Sequence, residues 1–281
     1  EPYKSNKDKF NVYGIFSASL ESGVDEPRQK SYKNSALGAS FNALDTPRYL
    51  LTEDNKTLRD IAAQTPYDAV YIMVNSERYG GGGIYNFFGI FTANEGQWNE
   101  HVFLHEFGHS FAGLADEYYT SNVAYDEFYP KGSEPTEPNI TALMDPDNLK
   151  WKDLVTPGID IPTEWGKAEF DSMNMTVVSI RTEMSERLKQ MRKEGASEEE
   201  IGKVKQQFDD QVEKTRSKVT KFILEHPARG KIGAFEGAGY KSTGLYRPTL
   251  NSIMNRFNNE DKCFYKVSEQ TIINRIKYYS E

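Results

Sequence analysis

The sequence predicts an α/β (α+β) fold, and three observations predict it. A short helical pattern lies between β-branched and aromatic runs, a glycine run leads into a further apolar run, and a long charge-dense stretch carries apolar residues at helical spacing. At 281 residues the chain is long enough to bury a substantial core.

Taken in order, KFNVYGIFSAS (9–19) is aromatic and β-branched and reads as a strand. SALGASFNAL (35–44) has small and apolar residues at helical spacing, and RYLL (48–51) reads as a short strand. TLRDIAAQ (57–64) reads as a helix closed by Pro66, and DAVYIMVNS (68–76) as a strand buried on both faces. Strand, helix and strand in this order predict βαβ units. The four glycines at 80–83 lack a following Lys-Ser/Thr and precede a strand, so they read as a turn into an edge strand, GIYNFFGIF, rather than a phosphate loop. WNEHVFLHEFGHSFAG is the next helix, with Asn94 and Gln97, or Asn99, as candidate caps and Gly113 as its terminator. Residues 119–165 are rich in Pro, Asn and Asp and read as loop.

From 168 to 226 the periodicity becomes helical. Val177, Ile180, Met184, Leu188 and Met191 recur every three or four residues, as do Ile201, Val204, Phe208 and Val212. Gly195 ends the first run, and Ser197 with Glu200 forms a capping box for the second. This is a helical-hairpin insertion, serving either as a self-packed elaboration or as a lid or partner-docking arm. Compact composition returns at 231–257, and SEQTIINRIKYY (268–279) reads as a closing helix. Residues 1–281 are therefore read as a single domain with the 168–226 hairpin inserted.

Composition narrows the partners. A net charge of −8 and a pI near 5.3 argue against nucleic acid and anionic membranes. No apolar run reaches the length of a membrane span, and nothing in the sequence asks for an oligomer, so a monomer is expected. The first residues, EPYKSNKDKF, do not read as a signal peptide, which implies either a cytosolic protein or a mature, trimmed form. The single cysteine, Cys263, has no neighbouring His or Cys and reads as an inert packed thiol.

The chemistry lies in HVFLHEFGHSFAGLADEY (101–118). On a helix, residues four apart share a face, so His105 and His109 can present both imidazoles to one metal ion. Glu106 projects beside them and is the candidate catalytic base for a zinc-held water. Gly108 would let the opposite face of the helix pack closely. Phe103, Leu104, Phe107 and Phe111 make this a buried helix, where two histidines without partners would be costly. Only two other histidines exist. His101 lies in line down the same helix and gives poor tetrahedral geometry, and His226 ends the hairpin. Carboxylates are better third ligands, and Asp116 and Glu117 are nearest.

The order of these residues resembles the metzincin zinc peptidases, whose pattern is H-E-x-x-H-x-x-G-x-x-H/D followed by a Met-turn. Here the run is H-E-F-G-H-S-F-A-G-L-A-D, with one extra residue before the glycine. HEFGHSFAGLADEY, FEGAGY and YRPTLNSIM together resemble the IgA-peptidase family over roughly residues 9–165 and 230–280, with the hairpin outside the shared pattern. The resemblance implies Zn2+ held by His105, His109 and Asp116, with Glu117 as the alternative third ligand, and Met254 beneath the metal in the Met-turn. It also implies a twisted, mostly parallel sheet with one antiparallel edge strand, secretion or a surface or periplasmic location, and protein or peptide substrates. Two departures stand out. The extra residue rotates the succeeding residues by about 100° if it is taken up as helix. Arg256 occupies the position where many metzincins carry an oxyanion-steadying tyrosine, leaving Tyr246 or Tyr118 as substitutes.

The expected function is a zinc-dependent endopeptidase. The alternative is a catalytically inactive or metal-bearing binding protein that docks a partner through the charged hairpin, and a purely structural zinc is a third reading. An intact Glu106 favours the enzyme.

Overall fold

The computed structural model describes residues 1–93, 99–119, 128–255 and 263–281. Its framework is helical with three small sheets, an α+β arrangement without a closed barrel. The first sheet pairs β1 (Ser40–Phe41) with β2 (Leu50–Leu51) antiparallel. Helix α1 (Asn55–Ala62) comes next, its first turn capped by Asp54, which accepts from Thr57 N. The second sheet, in the order β3–β5–β4, holds β3 (Tyr71–Val74), β4 (Gly81–Ile84) and β5 (Phe88–Thr92). β5 is central and buried along its whole length; it runs parallel to β3 and antiparallel to β4. The antiparallel edge is as expected, while parallel pairing between named strands is confined to β3 and β5.

Helix α2 (Asn99–Ala112) lies across β4 and β5. The hairpin consists of α3 (Lys167–Lys193) and α4 (Glu198–Leu224), with Ser197 and Glu200 forming the capping box and Gly195 turning the chain at φ +78°. The third sheet pairs β6 (Phe235–Ala238) with β7 (Lys241–Arg247), and α5 (Tyr265–Ser280) packs on α2.

Core clusters explain this placement. Phe41, Leu50, Phe88 and Ile90, each at most 1% exposed, pack under the second sheet, and each contributes about 1.5–3 kcal/mol by burial. Phe111, Leu114, Met254, Phe264 and Ile272 fill the space between α2 and α5. At its base the hairpin is anchored by Phe170, Val219 and Ile223 against Tyr119, Trp165, Phe235 and Leu250. Farther out Leu188, Met191 and Ile201 cluster among the hairpin's own side chains.

Several elements differ from expectation. Residues 9–19 form no strand; a 3-10 turn spans Lys4–Lys9, and beyond it Val12 and Phe16 are 90% and 93% exposed. Their composition is strand-like, but they pair with no strand, and Phe10 packs against Tyr3 and Phe111. Residues 35–44 form no α-helix, only the start of a 3-10 turn at Ala43–Asp45, because Gly38 and Asn42 take left-handed conformations that break one, and Ala39 and Phe41 instead reach the core. β3 is not buried on both faces: Met73 is 68% exposed. The run GIYNFFGIF is not one strand but a tight hairpin whose edge is the glycine run itself. The caps assigned to Asn94 and Gln97 lie outside the described residues, and α2 starts at Asn99.

Candidate metallopeptidase site

Helix α2 presents His105 and His109 one turn apart. Gly113, at φ +66°, ends it, and Leu114 N donates back to Gly108 O at 3.2 Å. The extra residue before this glycine is taken up inside the helix, and residues 114–119 then run in a non-helical path. Paired backbone bonds hold that path to the chain beyond β6. Gly239 N donates to Asp116 O at 2.9 Å and Tyr240 N to Tyr118 O at 3.1 Å.

Alternation along this segment separates adjacent residues. Asp116 and Tyr118 line the cleft. Glu117, fully buried, faces the other way: its carboxylate accepts from Asn139 Nδ2 at 2.9 Å and Ser252 Oγ at 2.7 Å. Tyr119 turns to the hairpin base and donates to Asp171 at 2.5 Å. The two acids thus do different things. Glu117 ties the Met254 turn to the 139 segment, and Asp116 reaches the histidines. Burial pushes the Glu117 carboxyl up to about 7 despite both hydrogen bonds.

His105 Nε2 and His109 Nε2 stand 3.1 Å apart, and Asp116 Oδ1 lies 3.0 Å from the first and 3.3 Å from the second. Each ring's other nitrogen meets a backbone carbonyl, His105 Nδ1 at 2.9 Å from Ile253 O and His109 Nδ1 at 2.5 Å from Leu114 O. Those carbonyls require Nδ1–H, so both Nε2 atoms turn lone pairs toward a carboxylate oxygen. With both rings neutral the three converging atoms are all acceptors and repel one another, so the cluster calls for positive charge, either a proton on His109 or a metal ion between them. The triangle also has the right size, since tetrahedral zinc ligands at about 2.0–2.1 Å lie about 3.3–3.4 Å apart. The donor set therefore fits a divalent metal.

Protonation of the cluster agrees with this. Burial opposes charge on His109, but Asp116 and Glu106 outweigh it and raise its pKa to about 9. Burial would likewise raise the Asp116 carboxyl, yet His109 and His105 hold it well below the usual carboxylate range. The site recruits positive charge, as a proton or as a metal ion.

Around this cluster the cleft measures about 660 Å³. Glu106 lines it beside the histidines, and burial raises its carboxyl pKa. The glycine run makes this approach of strand to helix feasible: a Cβ on Gly81 would meet Glu106 Cγ and Oε1 at 2.9 Å, and one on Gly83 would meet Glu106 O at 2.5 Å. Beneath the helix, a Cβ on Gly108 would stand 2.9 Å from Met254 Sδ, and Met254 is fully buried. The close packing expected at Gly108 is present, with Met254 as the neighbour it admits.

Tyr118 stacks near His105, with ring centroids 6.4 Å apart, and its hydroxyl accepts from Arg48 at 2.9 Å. Tyr246 does not line the cleft. It sits on β7, where its backbone pairs with Thr141. Tyr240 is there instead: its hydroxyl donates to Asp116 Oδ2 and lies 2.8 Å from Tyr49 OH. Neither Tyr240 nor Arg48 stood out in the sequence. The signal for Tyr240 was its place in FEGAGY, where a residue at φ +65° succeeds a left-handed glycine. His101 stacks on His105 at 5.7 Å, and His226 caps the hairpin's end, where Ala228 N donates to its Nδ1. Arg256 lies outside the described residues.

A family model for IgA peptidase M64 matches residues 1–276. The chain belongs to this peptidase family. The match spans the helical hairpin as well as the cleft, and it supports a metallopeptidase-type function acting on protein or peptide substrates. A comparison with curated proteins returns no match. No described helix is long and apolar enough to cross a membrane.

Proposed function

We propose that this M64 peptidase is a zinc-dependent endopeptidase, with residues 1–281 acting as one catalytic unit and extracellular proteins or peptides as substrates. The observation that carries the reading is the convergence of His105 Nε2, His109 Nε2 and Asp116 Oδ1 within 3.3 Å of one another, beside Glu106 on the cleft. These three residues would hold the ion. When bound, zinc supplies a Lewis acid and lowers the pKa of a coordinated water toward ~7.

The chain's own residues do the rest. The carbonyls of Ile253 and Leu114 orient the two imidazoles, and Tyr240 holds Asp116 Oδ2 so that Oδ1 faces the histidines. Glu106 takes the proton of the attacking water and later delivers it to the leaving amine. Burial raises its proton affinity, which suits a group that must keep a proton between two transfers. We assign Tyr118, with Arg48 bonded to its hydroxyl, to steady negative charge developing on the scissile carbonyl oxygen. The edge strand β4, which Tyr49 already bridges at Gly81, would pair with an extended substrate backbone beyond that bridge, since Gly82–Ile84 line the cleft. A secreted or cell-surface location belongs to the same reading.

Glu106→Gln tests it. The variant should bind one zinc per chain while kcat falls by about 10²–10⁴ on a mixed peptide library. Full proteolysis by a zinc-loaded Glu106→Gln protein would refute the mechanism.

A further inference from the structure

We propose that Lys150 is a positioning residue that builds one wall of the cleft by standing where a bound cation would gather a loop. Its ammonium group donates to three backbone carbonyls of a single segment: Pro135 O at 2.5 Å, Ile140 O at 2.7 Å and Glu137 O at 2.8 Å. That uses all three ammonium protons. Glu134 Oε1 adds an ion pair at 3.1 Å, while Glu134 Oε2 accepts from Ala142 N at 3.0 Å and closes the loop's far end. Four oxygens around one nitrogen resemble the oxygen cage of a hard cation, with the lysine providing the charge.

The position of Lys150 is itself fixed. Leu149 and Trp151 on either side are 6% and 3% exposed, and Trp151 Nε1 donates to Gly233 O at 2.7 Å. The stem therefore projects from an anchored segment, and the loop folds onto it.

The gathered loop serves the site on two sides. Thr136, Glu137 and Pro138 line the cleft. Asn139, fully buried, brackets Ala115, its Oδ1 accepting from Ala115 N at 2.7 Å and its Nδ2 donating to Ala115 O at 2.9 Å. Asp116 is the next residue, but it is also held by Gly239 and Tyr240. Loss of Lys150 should therefore loosen the cleft wall more than the metal cluster. Lys150 touches no reacting atom, and its effect belongs in substrate binding.

The inference rests on the peptidase reading, so its test has two arms. In hydrogen exchange on protein without added metal, Lys150→Met should speed exchange of the backbone amides of Thr136, Glu137 and the residues from Asn139 to Ala142 by about ten-fold or more, as expected when charge-assisted bonds are lost. Unchanged exchange there overturns the proposal whether or not the protein is a peptidase. In the kinetic arm, KM should rise about ten-fold for a peptide long enough to reach residues 136–138. It should stay unchanged for a dipeptide amide too short to reach them, with kcat and zinc content held within about three-fold. Equal losses on both substrates, or loss of zinc in step with activity, would mark a general structural role and overturn it. If Lys150→Met does not fold, Lys150→Arg carries both arms: it keeps the charge but cannot reproduce three bonds from one nitrogen. Intermediate effects in the same direction support the proposal, and wild-type behaviour overturns it.

Discussion

Gly83→Ala puts the contact between the glycine strand and helix α2 under direct strain. An added Cβ would lie 2.5 Å from Glu106 O, 2.8 Å from His109 Cβ and 3.3 Å from Ser110 N. Two of those atoms are helix backbone and cannot swing aside. Comfortable carbon contacts are about 3.5 Å, so β4 must withdraw by about 1 Å. Overpacking of this kind costs about 1–3 kcal/mol, and in a domain of this size that lowers Tm by roughly 2–12 °C. Because the displaced strand touches Glu106, kcat/KM should fall by about 10²-fold, as for other ångström-scale misplacements. Gly202→Ala is the control. It lies within α4 with nothing within 4 Å of the new Cβ, so it should stabilise by about 0.5–1 kcal/mol and leave catalysis alone. Differential scanning calorimetry, zinc stoichiometry and peptide kinetics on both variants measure all of this. If Gly83→Ala melts and cleaves like the wild type, β4 does not sit against α2, and the physical account of the glycine run is wrong.

Two further expectations concern the metal. Tyr240→Phe removes the hydroxyl that holds Asp116 Oδ2 and should weaken zinc binding by about 10–100-fold, read by chelator competition; an unchanged affinity would mean that Asp116 needs no such support. His109, with its pKa raised to about 9, carries a proton in the metal-free protein below that pH, and zinc must displace it. The apparent zinc affinity should therefore rise by about ten-fold per pH unit from 6 toward 9 and then level off, with about one proton released per ion in calorimetry across buffers; a flat profile contradicts the assigned protonation.

Residue spacing alone makes His105, Glu106 and His109 legible, because helical geometry places residues four apart on one face whatever the surroundings. The same local rules locate α1, the hairpin's two helices with their Ser197–Glu200 cap, and α5. They do not choose between Asp116 and Glu117. That choice depends on the path beyond Gly113, where the chain leaves the helix and pairs with residues 239–240, so that alternation turns one acid toward the histidines and buries the other against Ser252 and Asn139. Tyr240 and Arg48 enter the site across 124 and 70 residues of chain, to Asp116 and Tyr118 respectively, and no local pattern encodes such contacts. The glycine run is the clearest division between the two. Its composition argues against a phosphate loop and predicts a turn into an edge strand, whereas the glycines are themselves the edge strand, and their purpose appears only once Glu106 and His109 are seen within a methyl group's reach. Strand-like composition at residues 9–19 fails for the converse reason: a strand needs a partner's backbone, and partners are assigned by tertiary packing. Local sequence thus sets the chemistry that helix α2 can offer. Which carboxylate joins it and which loops enclose it are settled only in three dimensions, because those contacts form between segments whose meeting no local periodicity specifies.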